Sequence, residues 1–188
     1  MKFFSIWTAM VLLTSTAMAS ASTFQNVITD ELYTEQNHPE LYCLAQNIYF
    51  EAKSEPLAGQ YAVADVVLNR VKDNRYPNTI CEVVKEGPIK ESWKTRQHAD
   101  LSDEERVYFP KRNKCQFSWY CDGKPDTIRD GDAWRQAQIV AYRITYNERH
   151  RGLTEGATHY HADYVHPKWA STLQLVGRIA THIFYRWP

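Results

Sequence analysis

The chain has 188 residues, with 22 Lys plus Arg against 22 Asp plus Glu, and 44% of its residues are hydrophobic. A net formal charge of zero argues against a protein whose main role is to bind nucleic acid. The hydrophobic fraction is too high for general disorder, and the length fits one domain of ordinary size. We therefore expect a globular protein, and the sequence shows no internal repeat.

The N-terminus indicates export. Lys2 precedes an apolar run over residues 3–13, and small residues follow up to Ala21. This is the pattern of a secretory signal peptide that is cleaved after Ala19 or Ala21. An uncleaved anchor is the alternative, but a membrane span needs about 20 apolar residues. We expect residues 1–21 to be removed, leaving a periplasmic or extracellular protein with no stable membrane span.

Four cysteines lie in the mature part: Cys43, Cys81, Cys115 and Cys121. An even number in an oxidising compartment predicts two disulfides, for which three connectivities are possible. Because the last two cysteines bound a short loop, we favour Cys115 with Cys121 and Cys43 with Cys81. A zinc knuckle is disfavoured because no pair has C-x-x-C spacing. A catalytic thiol at Cys43 is a further alternative, but it would leave one cysteine without a partner.

After a polar lead-in over residues 22–39, apolar residues recur at helical spacing. The first helix is predicted from Glu40 to just before Pro56, and the second from Leu57 to Val71. A third, short helix is predicted to start at a capping box and to end at Gly87. The capping box is Thr79-Ile80-Cys81-Glu82.

The second half of the chain is more varied. Residues 88–114 are charged and bounded by prolines, which predicts an excursion over the surface that could cover a cleft. Residues 116–119 alternate and are aromatic-rich, which predicts a short strand. One more helix is predicted from about Asp132, capped by Asp130 or Asp132, to near Gly152.

The C-terminal part is predicted to be extended, at residues 157–161 and again at residues 178–186. Helices followed by short strands indicate an α+β fold. Residues 40–188 are expected to form one domain.

Glu51 is the first candidate for chemistry. It lies on the shoulder of the buried stripe of the first helix, close to the helix end. Partial burial disfavours the charged form of a carboxyl and raises its pKa, as a general acid working near neutrality requires. The alternative is that Glu51 and Glu55 simply flank Lys53 on a solvated helix end.

His159, His161 and His166 form a second candidate group. Alternate positions on a strand place His159 and His161 on one face, and paired imidazoles near a third are possible zinc ligands. The alternative is that these side chains hydrogen-bond a polar ligand or each other, because an H-x-H pattern alone is a weak signal. We expect no metal and no cofactor.

Aromatic residues gather in or beside the predicted strands, where their rings could stack on sugars. They are Trp119, Tyr120, Tyr160, Tyr164, Trp169 and Tyr185. Most are nevertheless expected to belong to the core.

Several segments together resemble the cell wall hydrolases of the spore-cortex-lytic SleB/CwlJ type, the Hydrolase_2 family. The resemblance covers most of residues 41–186, in order. It rests on IYFEAKSEPLAGQYAVA from Ile48, VLNRV from Val67, YPNTIC from Tyr76, CQFSW from Cys115, GATHYH from Gly156, and the stretch from Gly177 to Arg186. The family's usual Glu-Ala-Arg-Gly-Glu-Pro reads Glu-Ala-Lys-Ser-Glu-Pro here, which keeps both carboxylates.

The resemblance implies a lysozyme-like helical domain with a small antiparallel sheet lining a cleft that acts on peptidoglycan glycan strands. It matches the family's catalytic glutamate to Glu51. We expect cleavage between N-acetylmuramic acid and N-acetylglucosamine, as a lytic transglycosylase rather than a simple hydrolase, by a monomer. The residues expected to contact substrate are Glu55, Gln116, Ser118, Thr158, His159, Tyr160 and Tyr164.

Two rival functions stay open at this point. One is a zinc-dependent N-acetylmuramoyl-L-alanine amidase that uses the three histidines, and the other is a peptidoglycan-binding module without catalysis.

Overall fold

A computed structural model describes residues 34–188. The predicted signal peptide and residues 22–33 of the lead-in lie outside the described residues. Among the described residues, no helix has the length and apolar character needed to cross a membrane.

Four helices build the main core. They are α1 (Pro39–Ala52), α2 (Leu57–Lys72), the short α3 (Ile80–Val84) and α5 (Gly131–Tyr146). Helix α1 lies in the centre and packs against the other three. Its buried side chains include Leu44, Ile48 and Tyr49, which are almost fully withdrawn from water. Because burying one large apolar side chain contributes about 1.5–3 kcal/mol, this helix is firmly held up to its C-terminal end.

Capping side chains fix the helix ends. Thr79 accepts a hydrogen bond from the N–H of Glu82 at 3.2 Å, as the capping box predicts. Glu40 of α1 also accepts from the N–H groups of Ile80 and Cys81, which ties α3 to α1. Asp130 caps α5 through the N–H of Ala133 at 3.0 Å. These bonds satisfy donors that a helix N-terminus cannot satisfy itself.

The second layer is a three-stranded antiparallel sheet in the order β3–β5–β4. Its strands are β3 (His159–Ala162), β4 (Gln174–Ile179) and β5 (His182–Arg186). Ala62 and Val66 of α2 pack against Ala157 and Phe184, and this contact joins the sheet to the helices.

Buried Asp65 anchors the turn that leads into β3. Its carboxylate forms an ion pair with Arg151 and accepts from the N–H and hydroxyl of Thr154, at 3.0 and 2.7 Å. Since a buried carboxylate is tolerated only when it is paired and hydrogen-bonded, this network specifies where the sheet meets α2.

Residues 88–114 contain a small hairpin. Strands β1 (Ile89–Glu91) and β2 (Tyr108–Pro110) pair antiparallel, and the four-residue helix α4 (Trp93–Arg96) and a 3₁₀ turn (Asp103–Glu105) lie between them. Most of these residues are exposed, which agrees with the predicted excursion over the surface.

Three element predictions were wrong. Residues 116–119 do not form a strand, because the short loop closed by Cys115 and Cys121 winds into a 3₁₀ helix (Ser118–Cys121). Residues 178–186 are not one strand, because Ala180 has φ of 52° and reverses the chain between β4 and β5. The last helix ends at Tyr146 rather than near Gly152.

The α+β fold class and the favoured disulfide pairing are confirmed. Cys43 is bonded to Cys81 and Cys115 to Cys121, with no free cysteine in the described part of the chain.

Candidate active site

Glu51 lies in the last turn of α1, on the wall of a cleft of about 380 Å³ between the helices and the sheet. The other residues lining this cleft are Phe50, Arg70, Gln116, Phe117, Ser118, Trp119, Tyr160, His161, Ala162, Tyr164 and His182. The cleft thus combines the end of one helix, the loop closed by the Cys115–Cys121 disulfide, and the face of β3.

Trp119 fixes the loop against the helix that carries Glu51. Its indole N–H donates to Oδ1 of Asn47 at 3.0 Å, and its ring stacks on Phe50 with centroids 4.7 Å apart. Asn47 is fully buried and Trp119 is only 8% exposed. The wall opposite the sheet is therefore a packed surface rather than a mobile loop.

Tyr160 connects the sheet to Glu51. On β3 it points toward the helices, and its hydroxyl donates to Oε2 of Glu51 at 3.1 Å. Burial, followed by the nearby charge of Glu51, raises the pKa of Tyr160, so the hydroxyl stays protonated and acts as a donor. Within residues 34–188, Oε1 of Glu51 has no hydrogen-bond partner. The proton of a neutral Glu51 therefore belongs on Oε1, the oxygen left for a substrate.

The pKa of the Glu51 carboxyl is raised from its ordinary value. Burial is the largest cause, and the hydrogen bond from Tyr160 and the charge of Arg70 partly oppose it. A raised pKa keeps more of the carboxyl protonated near neutral pH, as a general acid requires.

Arg70 of α2 lies close to Glu51 and Tyr160. It is 5% exposed, its Nε donates to the carbonyl of Thr158 at 2.8 Å, and its guanidinium stacks against the rings of Tyr76 and Phe117. Its Nη1 is buried without a hydrogen-bond partner among the described residues. A positive charge in this position stabilises the ionised form of Glu51.

Five of the predicted site residues come together in the cleft lining. They are Glu51, Gln116, Ser118, Tyr160 and Tyr164. Gln116, Ser118 and Tyr164 are exposed at its mouth, and the side chain of Tyr164 is 81% accessible. Their positions suit hydrogen bonding and stacking with a sugar chain. Their roles stay predictions.

Three predicted contacts lie outside this lining. The carboxylate of Glu55 accepts from the hydroxyl and the N–H of Thr181. Thr158 is 3% exposed, and its hydroxyl contacts Nδ1 of His159 at 3.0 Å. Burial, together with the charges of Arg70 and Arg75, lowers the pKa of His159 to about 4. The roles assigned to Glu55, Thr158 and His159 therefore stay predictions.

His159 and His161 share one face of β3, as the alternation predicts, and both rings lie against Trp169, with centroids 5.4 and 5.6 Å away. His161 is further held by the carbonyl of Ala162 and the hydroxyl of Tyr185. Among residues 34–188, no three His, Cys, Asp or Glu side chains converge in a way that could hold a metal ion. The zinc-amidase alternative therefore lacks the ligand set that it requires.

The sequence reasoning missed Arg70 and His182. His182 is 8% exposed and its ring makes an edge contact with Tyr160 at 5.0 Å. Burial lowers its pKa, so it borders the cleft as a neutral ring. Arg70 follows Asn69 on a strongly apolar helix. A charged residue in such a pattern is the signal that could have marked Arg70 as a candidate site residue.

Comparison with known proteins identifies the family of this chain. The model of the Cell Wall Hydrolase family matches residues 54–185, and thus starts three residues after Glu51. A spore cortex-lytic enzyme of Oceanobacillus iheyensis is 28% identical over 109 residues, which are 53% of this chain and 38% of that protein. The corresponding enzyme of Bacillus subtilis (strain 168) is 43% identical over 47 residues, covering 25% of this chain and 15% of that protein.

Two solved structures share the fold. The catalytic domain of the Bacillus cereus SleB protein aligns with a TM-score of 0.50 at 24% identity, covering 82% of this chain and 92% of that one. The catalytic domain of the germination-specific lytic transglycosylase SleB from Bacillus anthracis aligns with a TM-score of 0.52 at 24% identity, covering 84% and 100%. The family match, which spans well over half of the sequence, establishes that this chain belongs to the cell wall hydrolase family.

Proposed function

We propose that this protein cleaves the glycan strand of peptidoglycan between N-acetylmuramic acid and N-acetylglucosamine as a lytic transglycosylase, with Glu51 as its acid and base. The observation that carries the proposal is the partly buried carboxyl of Glu51, oriented by Tyr160 in an open cleft with sugar-sized space. The relatives named spore cortex-lytic enzymes support the substrate class.

The cleft supports a mechanism with one carboxylate. Glycosidases that use two carboxylates hold them about 5–10 Å apart across the bond that breaks. Among the described residues that line this cleft, Glu51 is the only acid, and the nearby Glu55 is bound to Thr181 instead. One group must then both donate and accept the proton.

The proposed reaction proceeds in two steps. The proton on Oε1 of Glu51 passes to the glycosidic oxygen as the bond from that oxygen to the muramic acid ring breaks. A hydroxyl of the same muramic acid then bonds to the anomeric carbon, and it displaces the acetamido oxygen where that oxygen has bonded there first. The closing hydroxyl gives its proton to the Glu51 carboxylate, and an anhydro sugar results without consumption of water. Arg70 favours the carboxylate that exists between the steps.

The place of action follows from the substrate. Two disulfides indicate an exported protein. Peptidoglycan lies outside the cytoplasm, so we infer a periplasmic or extracellular protein; that it acts as a monomer stays a prediction.

Digestion of purified sacculi tests this function. Glu51→Gln should reduce muropeptide release by at least about a hundredfold, the usual contribution of a general acid. Glu148→Gln, which neutralises an exposed carboxylate that does not line the cleft, is the matched control. Mass spectrometry should show anhydro-muramyl ends. Reducing ends would indicate a hydrolase, free peptide stems would indicate an amidase, and near-wild-type release by Glu51→Gln would overturn the role of Glu51.

A further inference from the structure

A second pocket lies on the β1–β2 hairpin and is separate from the cleft. It has a volume of about 460 Å³, and residues 90–94 form it together with Arg96 and Phe109. We call it the hairpin pocket. It has no residue in common with the lining of the Glu51 cleft.

The hairpin pocket carries exposed aromatic rings that the hairpin does not bury. Trp93 is 61% exposed and Phe109 is 50% exposed, and Tyr108 and Ile89 beside them are 46% and 58% exposed. Scattered exposed apolar residues need no explanation, but several on one small hairpin indicate an interaction site. Flat rings at an exposed edge are suited to stacking on sugar faces.

The same pocket is positively charged. Lys90, Lys94 and Arg96 line it, and within residues 34–188 none of them forms a salt bridge. Its acid, Glu91, is paired with Arg106 at 2.8 Å and also interacts with the charge of Arg96, so the pocket keeps a net positive charge. The ammonium of Lys94 lies 6.0 Å from the centre of the Trp93 ring, and cations without a salt-bridge partner favour a ligand that carries carboxylates.

The base of the hairpin is fixed to the wall of the Glu51 cleft. The N–H of Gln116 donates to the carbonyl of Glu86 at 2.9 Å, and the N–H of Lys111 donates to the carbonyl of Pro88 at 2.8 Å. Gly87 lies directly against Cys115, so closely that an added Cβ would come within 2.9 Å of its Cα. The hairpin therefore holds a defined position relative to the cleft.

The two pockets are close enough to share one polymer. Phe109 lines the hairpin pocket and Gln116 lines the cleft. Seven residues span at most about 25 Å even when fully extended, so a glycan oligosaccharide can reach both.

We propose that the hairpin pocket is an accessory site for peptide-bearing glycan, in which the aromatic rings contact sugar and the lysines bind carboxylates of the peptide stems. The inference rests on the proposed function and extends it, because the presence of a peptide stem on the muramic acid then influences which glycan is bound. The enzyme then prefers glycan with peptide stems over glycan from which they have been removed.

Binding measurements test this separately from catalysis. The full mature chain carrying Glu51→Gln is pelleted with intact sacculi and, in parallel, with glycan whose stems an amidase has removed. Lys90→Ala with Lys94→Ala should weaken binding to intact sacculi by about five- to tenfold and leave binding to stripped glycan unchanged. The difference in affinity between the lysine variant and the parent should become smaller at high salt. Salt screens the attraction between lysines and carboxylates, which is present only in the parent protein.

Lys72→Ala with Arg135→Ala is the matched control, since it removes two exposed positive charges that line neither pocket. Trp93→Ala should weaken binding to both glycans, because it removes a contact to sugar. Unchanged melting temperatures show that the variants are folded.

Equal affinity of the lysine variant and the parent for intact sacculi would overturn the inference, as would equal losses on the two glycans. A hairpin that instead docks a protein or a lipid surface would give the first of these results. Neither result depends on whether Glu51 cleaves the glycan, so failure of the proposed function is recognised independently by the digestion assay.

Discussion

The hydroxyl of Tyr160 donates a hydrogen bond to Oε2 of Glu51 at 3.1 Å, although the two residues lie 109 positions apart in the chain. The bond joins the central helix to the first strand of the sheet, the two elements that face each other across the cleft. It orients one carboxyl oxygen and leaves the other for substrate. The bond also favours the ionised carboxylate and therefore opposes the effect of burial on the pKa.

Tyr160→Phe should therefore raise the pKa of Glu51 further. Activity needs the protonated acid, so the alkaline limb of the kcat/KM profile, which reports this ionisation in the free enzyme, should move to higher pH. At the optimum, kcat should fall about five- to tenfold, because a hydrogen bond worth about 1 kcal/mol no longer orients the carboxyl. Tyr146→Phe, which changes an exposed tyrosine on α5, is the control. A shift of the limb to lower pH would contradict the assignment.

Arg70 is a positioning residue, and its removal should affect both stability and the pH profile. Arg70→Met leaves the carbonyl of Thr158 without its donor and removes a charge near Glu86 and Glu51. We expect a loss of about 2–3 kcal/mol in the free energy of unfolding and a movement of the alkaline limb to higher pH. Urea titration and kcat/KM profiles measure the two effects.

Arg70→Lys separates charge from shape. It keeps the positive charge but loses the planar fork that lies between Tyr76 and Phe117. It should be destabilised, while its pH profile should stay close to that of the parent protein. If both Arg70 variants kept the parent profile, Arg70 would have a purely structural role.

The sequence was informative where the evidence was local. The stripe of α1 placed Glu51 on the shoulder of a buried face, and the short spacing of Cys115 and Cys121 favoured their pairing; the disulfide is present in the structure. The family resemblance is confirmed by the family match. The α+β class followed from the order of helices and strands.

The remaining features depend on contacts between distant segments. The apolar pattern around Arg70 could mark it as unusual, but its partners Thr158 and Glu51 become evident only once the fold places them beside it. The sequence did not predict the turn at Ala180, because the apolar alternation continues across it. Glu55 accepts a hydrogen bond from Thr181 in this turn, although the two residues lie 126 positions apart. Periodicity cannot reveal such pairings.

The contact between Glu55 and Thr181 leads to a third prediction. Thr181→Val removes the hydroxyl donor to Glu55, so the free energy of unfolding should fall by about 1 kcal/mol. Because Glu55 lies outside the cleft lining, kcat/KM on sacculi should change less than twofold. Urea titration and a sacculus assay measure both quantities. A large loss of activity at unchanged stability would instead place Glu55 in contact with substrate, as the sequence predicted.

The two disulfides should have different effects when removed. In the loop-entropy account, the 38-residue separation of Cys43 and Cys81 corresponds to about 4 kcal/mol, and the 6-residue separation of Cys115 and Cys121 to about 2 kcal/mol. Paired Cys→Ala variants should follow this order in urea titrations. The loss of activity should follow the reverse order and be larger for the second pair, because the smaller loop carries Gln116 and Ser118 on the cleft wall. The variant lacking the first pair should retain most of its kcat/KM under conditions where it is fully folded, whereas the variant lacking the second pair should lose about tenfold. If the folded variant lacking the second pair kept most of its kcat/KM, the 115–121 loop would not need its disulfide to shape the cleft.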